Sequence, residues 1–258
     1  MVPLTEVSLV AGAHGAPVCG SVRVEALPGC REEIESMLPG AKSVVVLAAP
    51  HSRSAIGSRN VQVAQYDTIH AYGEAARASH AVALWLEGRG RRAVAVPAFI
   101  PIDMAPPRHG MRGAVDWRGA GVAAGIGGYG QSGLLVTREF GPAVRLGGVV
   151  TDAEVSPGEP LPETPCVACR KCMEACPMGA LTGEGRIDKR KCGDKIFSGG
   201  FRAWRNFLVA LIEAPAEKRK EMAGGQLSLD LWQNFMTGNY YDCFACQAAC
   251  PVGGPSRA

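Results

Sequence analysis

Residues 166–177, CVACRKCMEACP, place Cys166, Cys169 and Cys172 at every third position and Cys176 after three intervening residues, followed by Pro177. This is the bacterial 4Fe-4S spacing, in which one loop wraps three thiolates around a cluster and the fourth cysteine points to a neighbouring one. A neighbour is present in CFACQAACP, where Cys243, Cys246 and Cys250 precede Pro251. That shorter copy lacks one ligand, and Cys192 in RIDKRKC completes a set of eight. The expected assignment is Cys166, Cys169, Cys172 and Cys250 to one cluster, and Cys176, Cys192, Cys243 and Cys246 to the other, each motif lending one thiolate across. Zinc sites also use pairs spaced by two residues, but they keep such pairs apart and often recruit histidine, and no histidine follows His109. Disulfides need an oxidising compartment and do not favour a proline after both terminal cysteines. Cys19 and Cys30 stand alone and read as small buried groups.

Other stretches carry weaker chemical signals. Residues 119–133, GAGVAAGIGGYGQSG, hold seven glycines, which is costly to order unless backbone approaches something closely or adopts positive φ. Gly125, Gly127 and Gly130 satisfy a G-x-G-x-x-G string, but alanine-rich sequence replaces the strand that should precede a dinucleotide fingerprint, so a loop packed along another bulky ligand is the better reading. The DTIHAYG segment, with Asp67 and His70, misses the Asp-x-His-x-x-Gly spacing of a cobalamin-ligating histidine by one residue, and His70 reads as a helix-face residue. The basic runs EKRKE (217–221) and RGRR (89–92) read as solvated faces. Two oxidised clusters, each about −2 with its thiolates, would take the formal charge of +3 to roughly −1, which removes the charge argument for a nucleic-acid partner.

These residues need a scaffold, and 258 residues at 47% apolar supply one, with material for two units. No run approaches the length of a membrane span, and MVPLTEVSLVAGAHGAP lacks the features of a secretory signal, so a cytoplasmic protein is expected. SVVVLAA (43–49) and AVAVPA (93–98) read as buried strands, with GLLVT (133–137) and AVRLGGVVT (143–151) as further candidates. Between the first two lies a helix whose stripe is Ile69, Tyr72, Ala76, Ser79, Ala83 and Leu86, ended by Gly88 and Gly90. Pro157, Pro160, Pro162 and Pro165 stiffen a connector that divides a mixed α/β unit from the cysteine-bearing one. Beyond Cys192, Phe201, Trp204, Phe207, Leu208 and Leu211 recur at helical spacing and are expected to pack the intervening segment against the domain interface.

The stretch AGIGGYGQSGLLVTREFGPAVRLGGVVTD (124–152), with Leu134-Leu135-Val136-Thr137 and Leu146-Gly147-Gly148, the two cysteine motifs and IDKRKC between them, resembles the cobalamin-dependent family of epoxyqueuosine reductases and reductive dehalogenases over roughly residues 43–251. The resemblance implies an α+β fold: a nitroreductase-like cobalamin-binding domain over residues 1–155, then a ferredoxin-like domain with two 4Fe-4S clusters over 156–258. It implies base-off cobalamin, without a histidine ligand, against Gly125, Gly127, Gly128, Tyr129, Gly130, Ser132 and Leu134. Electrons would enter at the distal cluster, pass to the proximal one and reduce cobalt to Co(I). For the proton donor it points to Tyr72, as in the dehalogenases, or to an aspartate, for which Asp116 in Val115-Asp116-Trp117 and Asp103 in IPIDMAPP are candidates. The expected partners are a small-molecule substrate and an external electron donor such as ferredoxin or flavodoxin. No twin-arginine signal of the respiratory dehalogenases is present, and the chain ends seven residues after Pro251, where epoxyqueuosine reductases often extend into a tRNA-holding helical repeat. A minimal relative acting on another small molecule is therefore expected, and nucleic acid is not an expected partner on the charge argument above. An electron-transfer protein or reductive activator of a separate corrinoid protein, without its own substrate, is the alternative, and a flavin-linked ferredoxin reductase a third reading.

Overall fold

The computed structural model describes residues 1–58, 60–96, 113–238 and 241–254, without the side chain of Phe201. In chain order the first part contains α1 (Leu4–Ala13), β1 (Val18–Arg23), α2 (Arg31–Met37), β2 (Ser43–Pro50), α3 (Arg53–Ile56), α4 (Val61–Glu87), β3 (Ala93–Val96), α5 (Trp117–Ala123), β4 (Gly128–Tyr129), β5 (Leu135–Val136) and β6 (Val144–Thr151). The cysteine-bearing part adds α6 (Lys171–Glu174), α7 (Lys189–Ile196), α8 (Phe201–Glu213), α9 (Ala216–Gly224), α10 (Gln226–Thr237) and α11 (Ala245–Ala248).

An antiparallel sheet of order β1-β2-β6-β3 organises the first part, with β4 and β5 as a separate short ribbon. Strand β2 lies at its centre because SVVVLAAP can be buried on both faces. Alternate side chains go to opposite layers: Val44, Val46 and Ala48 join the core with Ile34 of α2 and Trp117 of α5, whereas Val45 and Leu47 meet Val7 of α1 and Val82 and Leu86 of α4. The expected strands at 43–49, 93–98 and 143–151 correspond to β2, β3 and β6, and GLLVT contributes only the two residues of β5. Strand β1, which replaces a single alternation with a buried run, and α1 were not anticipated.

Helix α4 runs from an Asn60 side chain that accepts the Gln62 amide to Gly88. Its buried face is Thr68, Ala71, Ala75, Ala78, Val82 and Leu86, joined by Ser79 and Ala83. The expected stripe is therefore rotated: Ala76 is exposed, and Ile69 and Tyr72 are half-buried. Small residues select the face, because a Cβ on Gly147 of β6 would lie 3.3 Å from Ser79 Oγ and 3.5 Å from the Ala75 Cβ. On the sheet's other side Gly148 makes room for the Trp117 ring, whose atoms come within 2.5 Å of where its Cβ would be. The Gly147-Gly148 pair thus lets two helices close on β6 from both sides.

The proline-rich connector is packed rather than free. Val155 pairs with Val2 and is buried, the Gly158 amide donates to Ser21 O at 2.8 Å, and Thr164 Oγ1 donates to Tyr129 O at 2.9 Å. Gly125, at φ 74°, faces the Glu159 carbonyl so closely that a side chain would clash. In the cysteine-bearing part α8 packs with α9 and α10 into a helical insertion, where Trp204 meets Phe235 edge-on at 6.2 Å. This insertion leaves Trp204 and Phe235 37% and Ile212 70% exposed. The aromatic stripe expected at a domain interface therefore packs chiefly within the insertion. Among the described residues no helix is long and apolar enough to cross a membrane.

Candidate functional site

Three of the first motif's thiols are brought together by a loop in which Ala168 and Arg170 take positive φ values of 52° and 65°, conformations that non-glycine residues adopt only under constraint. Cys166, Cys169, Cys172 and Cys250 border one hollow, which Cys246 also lines and which Gly130, Gln131 and Ser132 close on another side. The Gln131 amide points at Cys166 Sγ from 3.5 Å, and a Cβ on Gly130 would lie 3.6 Å from that sulfur. Electrostatic neighbours sort the remaining thiols. Cys192 is raised above the ordinary thiol value first by burial and then by Cys243 and Cys176. Cys246 is pushed up to about 12 by burial and then by Cys243, Cys192, Cys176 and Cys172. Cys250 is raised by burial and, among the thiols, by Cys169 and Cys166. Cys176 therefore lies near Cys192 and Cys246, and Cys250 near Cys166 and Cys169, while Cys246 also lies near Cys172. Among the described residues no three metal-binding side chains converge tightly enough for a single ion. Cys166, Cys169, Cys172, Cys246 and Cys250 instead border a common space, and the count of eight thiols and their sulfur-only donor set fit two 4Fe-4S clusters.

Beside the second motif lies a cavity of 240 Å³. Tyr72 of α4, Asp116, Trp117 and Arg118 at the start of α5, Leu134 and Leu135, Pro142, Arg145 and Leu146 of β6, and Gln247 of α11 line it. Tyr72 and Tyr241 share a hydroxyl–hydroxyl hydrogen bond of 3.2 Å, with their rings stacked at 6.1 Å. The Arg145 guanidinium lies 5.0 Å from the Tyr72 ring, 5.1 Å from Tyr241 and 6.0 Å from Phe244. Burial, with Tyr72 beside it, holds the Tyr241 phenol well above its ordinary value, so it stays protonated. The volume falls below the ~300–1,000 Å³ typical of sites for drug-sized ligands. The described walls therefore enclose less room than such a ligand needs.

Polar contacts hold the second motif against this cavity. Arg53 of α3 donates to Val252 O at 3.0 Å and to the carbonyl of Cys250, Gln247 donates to Pro142 O at 2.7 Å, and Gln65 donates to Asp242 Oδ1 at 2.6 Å. Asp242 also accepts from the Ser198 hydroxyl at 2.8 Å and the Gly199 amide.

The expected site residues separate into groups. Tyr72, Asp116 and Leu134 line the cavity, whereas Gly130 and Ser132 line the first thiol hollow. Gly125, Gly127 and Gly128 press against the chain's own Glu159, Val136 and Thr164. Tyr129 is 42% exposed, with its phenol raised by burial and by the nearby Asp116 carboxylate. Asp103 lies outside the described residues. His70 is exposed and rests against Tyr66 at 4.4 Å, while Asp67 pairs instead with the buried His51 at 2.5 Å. Cys30 is buried and accepts the Asp116 amide at 3.3 Å, which helps set the start of α5. Arg145, Tyr241, Gln247 and Arg53 were not singled out from sequence. Only Tyr241 and Gln247 carried a signal, their closeness to Cys243 and Cys246.

Residues 165–253 match the model of a 4Fe-4S double cluster binding domain. The epoxyqueuosine reductase of Gloeobacter violaceus is 29% identical over 226 residues, covering 86% of this chain and 59% of that protein. The tetrachloroethene reductive dehalogenase of Dehalobacter restrictus is 29% identical over 146 residues, covering 55% of this chain and 24% of that protein. This chain thus spans three fifths or less of the length of these curated relatives. The solved epoxyqueuosine reductase from Streptococcus thermophilus shares its fold, with a TM-score of 0.54, 18% identity, and coverage of 96% of this chain and 65% of that one. A catabolic reductive dehalogenase gives a TM-score of 0.59 at 17% identity, covering 90% of this chain and 36% of that one. The doubled cysteine motif, the sheet with glycines beneath its helices, and these matches together make the chain similar to the epoxyqueuosine reductases and reductive dehalogenases in sequence and fold, with a double 4Fe-4S cluster domain over residues 165–253.

Proposed function

We propose that this protein is a reductase that relays single electrons through two 4Fe-4S clusters to a base-off cobalamin, one edge of which would reach the cavity, for reductive chemistry on a small molecule or modified nucleoside. The observation that carries the reading is the sharing of a wall: Gln247 lies between Cys246 and Cys250, and Tyr72 is tied to Tyr241, two residues before Cys243. This makes the cluster of Cys176, Cys192, Cys243 and Cys246 the proximal one in the proposal. The cluster at Cys166, Cys169, Cys172 and Cys250, with Cys169 exposed, is then the entry point for an external ferredoxin or flavodoxin. Bound cobalamin would supply a strongly reducing centre next to the substrate. Tyr72 holds a proton at the cavity wall for the anion left by reduction, and Tyr241 orients that hydroxyl. Trp117, Leu134 and Leu146 provide an apolar lining that limits water. Arg53, Gln247 and Gln65 keep the cysteine motif fixed relative to the cavity.

Protein produced anaerobically with cobalamin supplied is expected to retain about one corrinoid and about eight irons per chain, with base-off absorption. Cluster-replete protein free of corrinoid would overturn the reading. The modest size of the cavity favours one alternative, a reductive activator that docks a corrinoid held by another protein. That alternative predicts full iron content, no retained corrinoid, and complex formation with a corrinoid protein.

A further inference from the structure

We propose that the Asp242 carboxylate lowers the reduction potential of the cluster assigned to Cys176, Cys192, Cys243 and Cys246, making it a stronger one-electron donor. This deepens the proposed relay and rests on that cluster being present. Asp242 directly precedes Cys243, and its carboxylate reaches the turn that follows α7, the helix that carries Cys192. There Oδ2 accepts the Ser198 hydroxyl at 2.8 Å and the Gly199 amide. On its other side Oδ1 accepts Nε2 of the buried Gln65, from α4, at 2.6 Å. The Asp242 amide closes the link by donating to Ile196 O at 2.9 Å. The carboxylate is thus fixed between two elements that supply thiolates to one cluster.

Its partners fit a charged group rather than a neutral tie. Both oxygens act as acceptors, and one accepts twice, which is the pattern of an ionised carboxylate. An asparagine there would turn its own N–H donors toward either Gln65 or the Ser198–Gly199 turn. The turn approaches so closely that a Cβ on Gly199 would lie 2.8 Å from Oδ2. Among the described residues no lysine or arginine lies within ion-pairing distance of Asp242. Neighbouring cations are engaged elsewhere: Arg202 pairs with Asp194, and Arg145 lies over the Tyr72 and Tyr241 rings. Adding an electron to a cluster that already carries about −2 is harder beside a fixed negative charge, and net charge is among the properties that set cluster potentials. A purely structural tie accounts for the contacts to Gln65 and Gly199. It gives no reason for an uncompensated charge next to a ligand of an anionic cluster.

Potentiometric titration of the anaerobic, cluster-replete full-length protein without cobalamin, followed by electron paramagnetic resonance, reads both clusters. Asp242→Asn is expected to raise the potential of the second-motif cluster, so that its reduced-to-oxidised ratio at a fixed potential grows about tenfold, ~59 mV for a one-electron couple. The cluster of Cys166, Cys169, Cys172 and Cys250 should stay close to its wild-type value. Gln65→Met takes a donor from the carboxylate and leaves its charge, so it should lower the second-motif potential. An unchanged potential in Asp242→Asn at full iron content, or an equal shift of both clusters, would overturn the proposal. Where Asp242→Asn does not assemble its second cluster, Gln65→Met decides: a lowered potential supports the proposal, and an unchanged or raised one rejects it. Absence of a second cluster from the wild type would overturn the relay together with this proposal, whereas the other adverse outcomes reject the tuning alone.

Discussion

Tyr72 presents a hydroxyl that is already hydrogen-bonded to Tyr241 at the cavity wall, so removing that oxygen should affect proton supply more than assembly. Tyr72→Phe is expected to lower turnover by about 10²–10⁴-fold, the usual worth of a positioned acid. Iron and corrinoid content should stay unchanged, and a rate within threefold of the wild type would remove Tyr72 from the chemistry. The cysteines allow a second test at this scale. Cys176 lies close to Cys192 and Cys246. Cys176→Ala should therefore damage the cluster built mainly on the second motif, and Cys250→Ala the one built on the first. Electron paramagnetic resonance of the reduced variants distinguishes the two. Selective loss of the cluster at Cys166, Cys169 and Cys172 in Cys176→Ala would contradict exchanged ligation.

Elements are held in register by backbone that allows no side chain. Gly147 and Gly148 let α4 and Trp117 approach β6 from opposite faces, which brings Tyr72, Arg145 and Trp117 to one cavity. Gly125 plays the corresponding part between α5 and the connector, combining φ 74° with contact to the Glu159 carbonyl. Gly125→Ala must both occupy a left-handed conformation and displace that carbonyl, and should destabilise the protein by about 1–3 kcal/mol. Denaturant unfolding measures this, and Gly90→Ala, also at positive φ but with open space around it, should cost less. Equal losses would show that strain in the glycine alone, not packing of the connector, sets the effect.

At the level of the whole molecule, stability should depend on pH through His51. Its side chain is fully buried, and burial lowers its proton affinity by more than the Asp67 hydrogen bond raises it. The folded value thus lies below the ordinary 6.5, so between the two values the unfolded chain binds a proton that the folded protein refuses. Stability attributable to this group is present above about pH 6.5 and falls as the pH drops toward the folded value. His51→Gln should flatten the melting temperature between pH 7.5 and 5.5 relative to the wild type; an unchanged slope would point to other groups. The same loop carries Arg53, which bonds the carbonyls of Cys250 and Val252, so acid loosening around His51 is expected to reach the second cysteine motif.

Ligand chemistry was legible in the sequence because cluster-binding cysteines follow local spacing rules, and a loop of eleven residues suffices to state them. The inner strands were legible for a similar reason: β-branched runs at 43–49 and 143–151 name their own burial. The face of α4 was not, since hydrophobicity pointed to Ile69 and Ala76 while close approach to Gly147 selected Ala71, Ala75 and Ala78. The glycine-rich segment shows the same limit, because much of its cramped backbone accommodates the protein's own connector. Local sequence thus determined which atoms could hold iron. Only the tertiary structure decided that Tyr72, Arg145, Tyr241 and Gln247, spread over 175 positions, meet at one place, because that depends on how closely separate elements can pack.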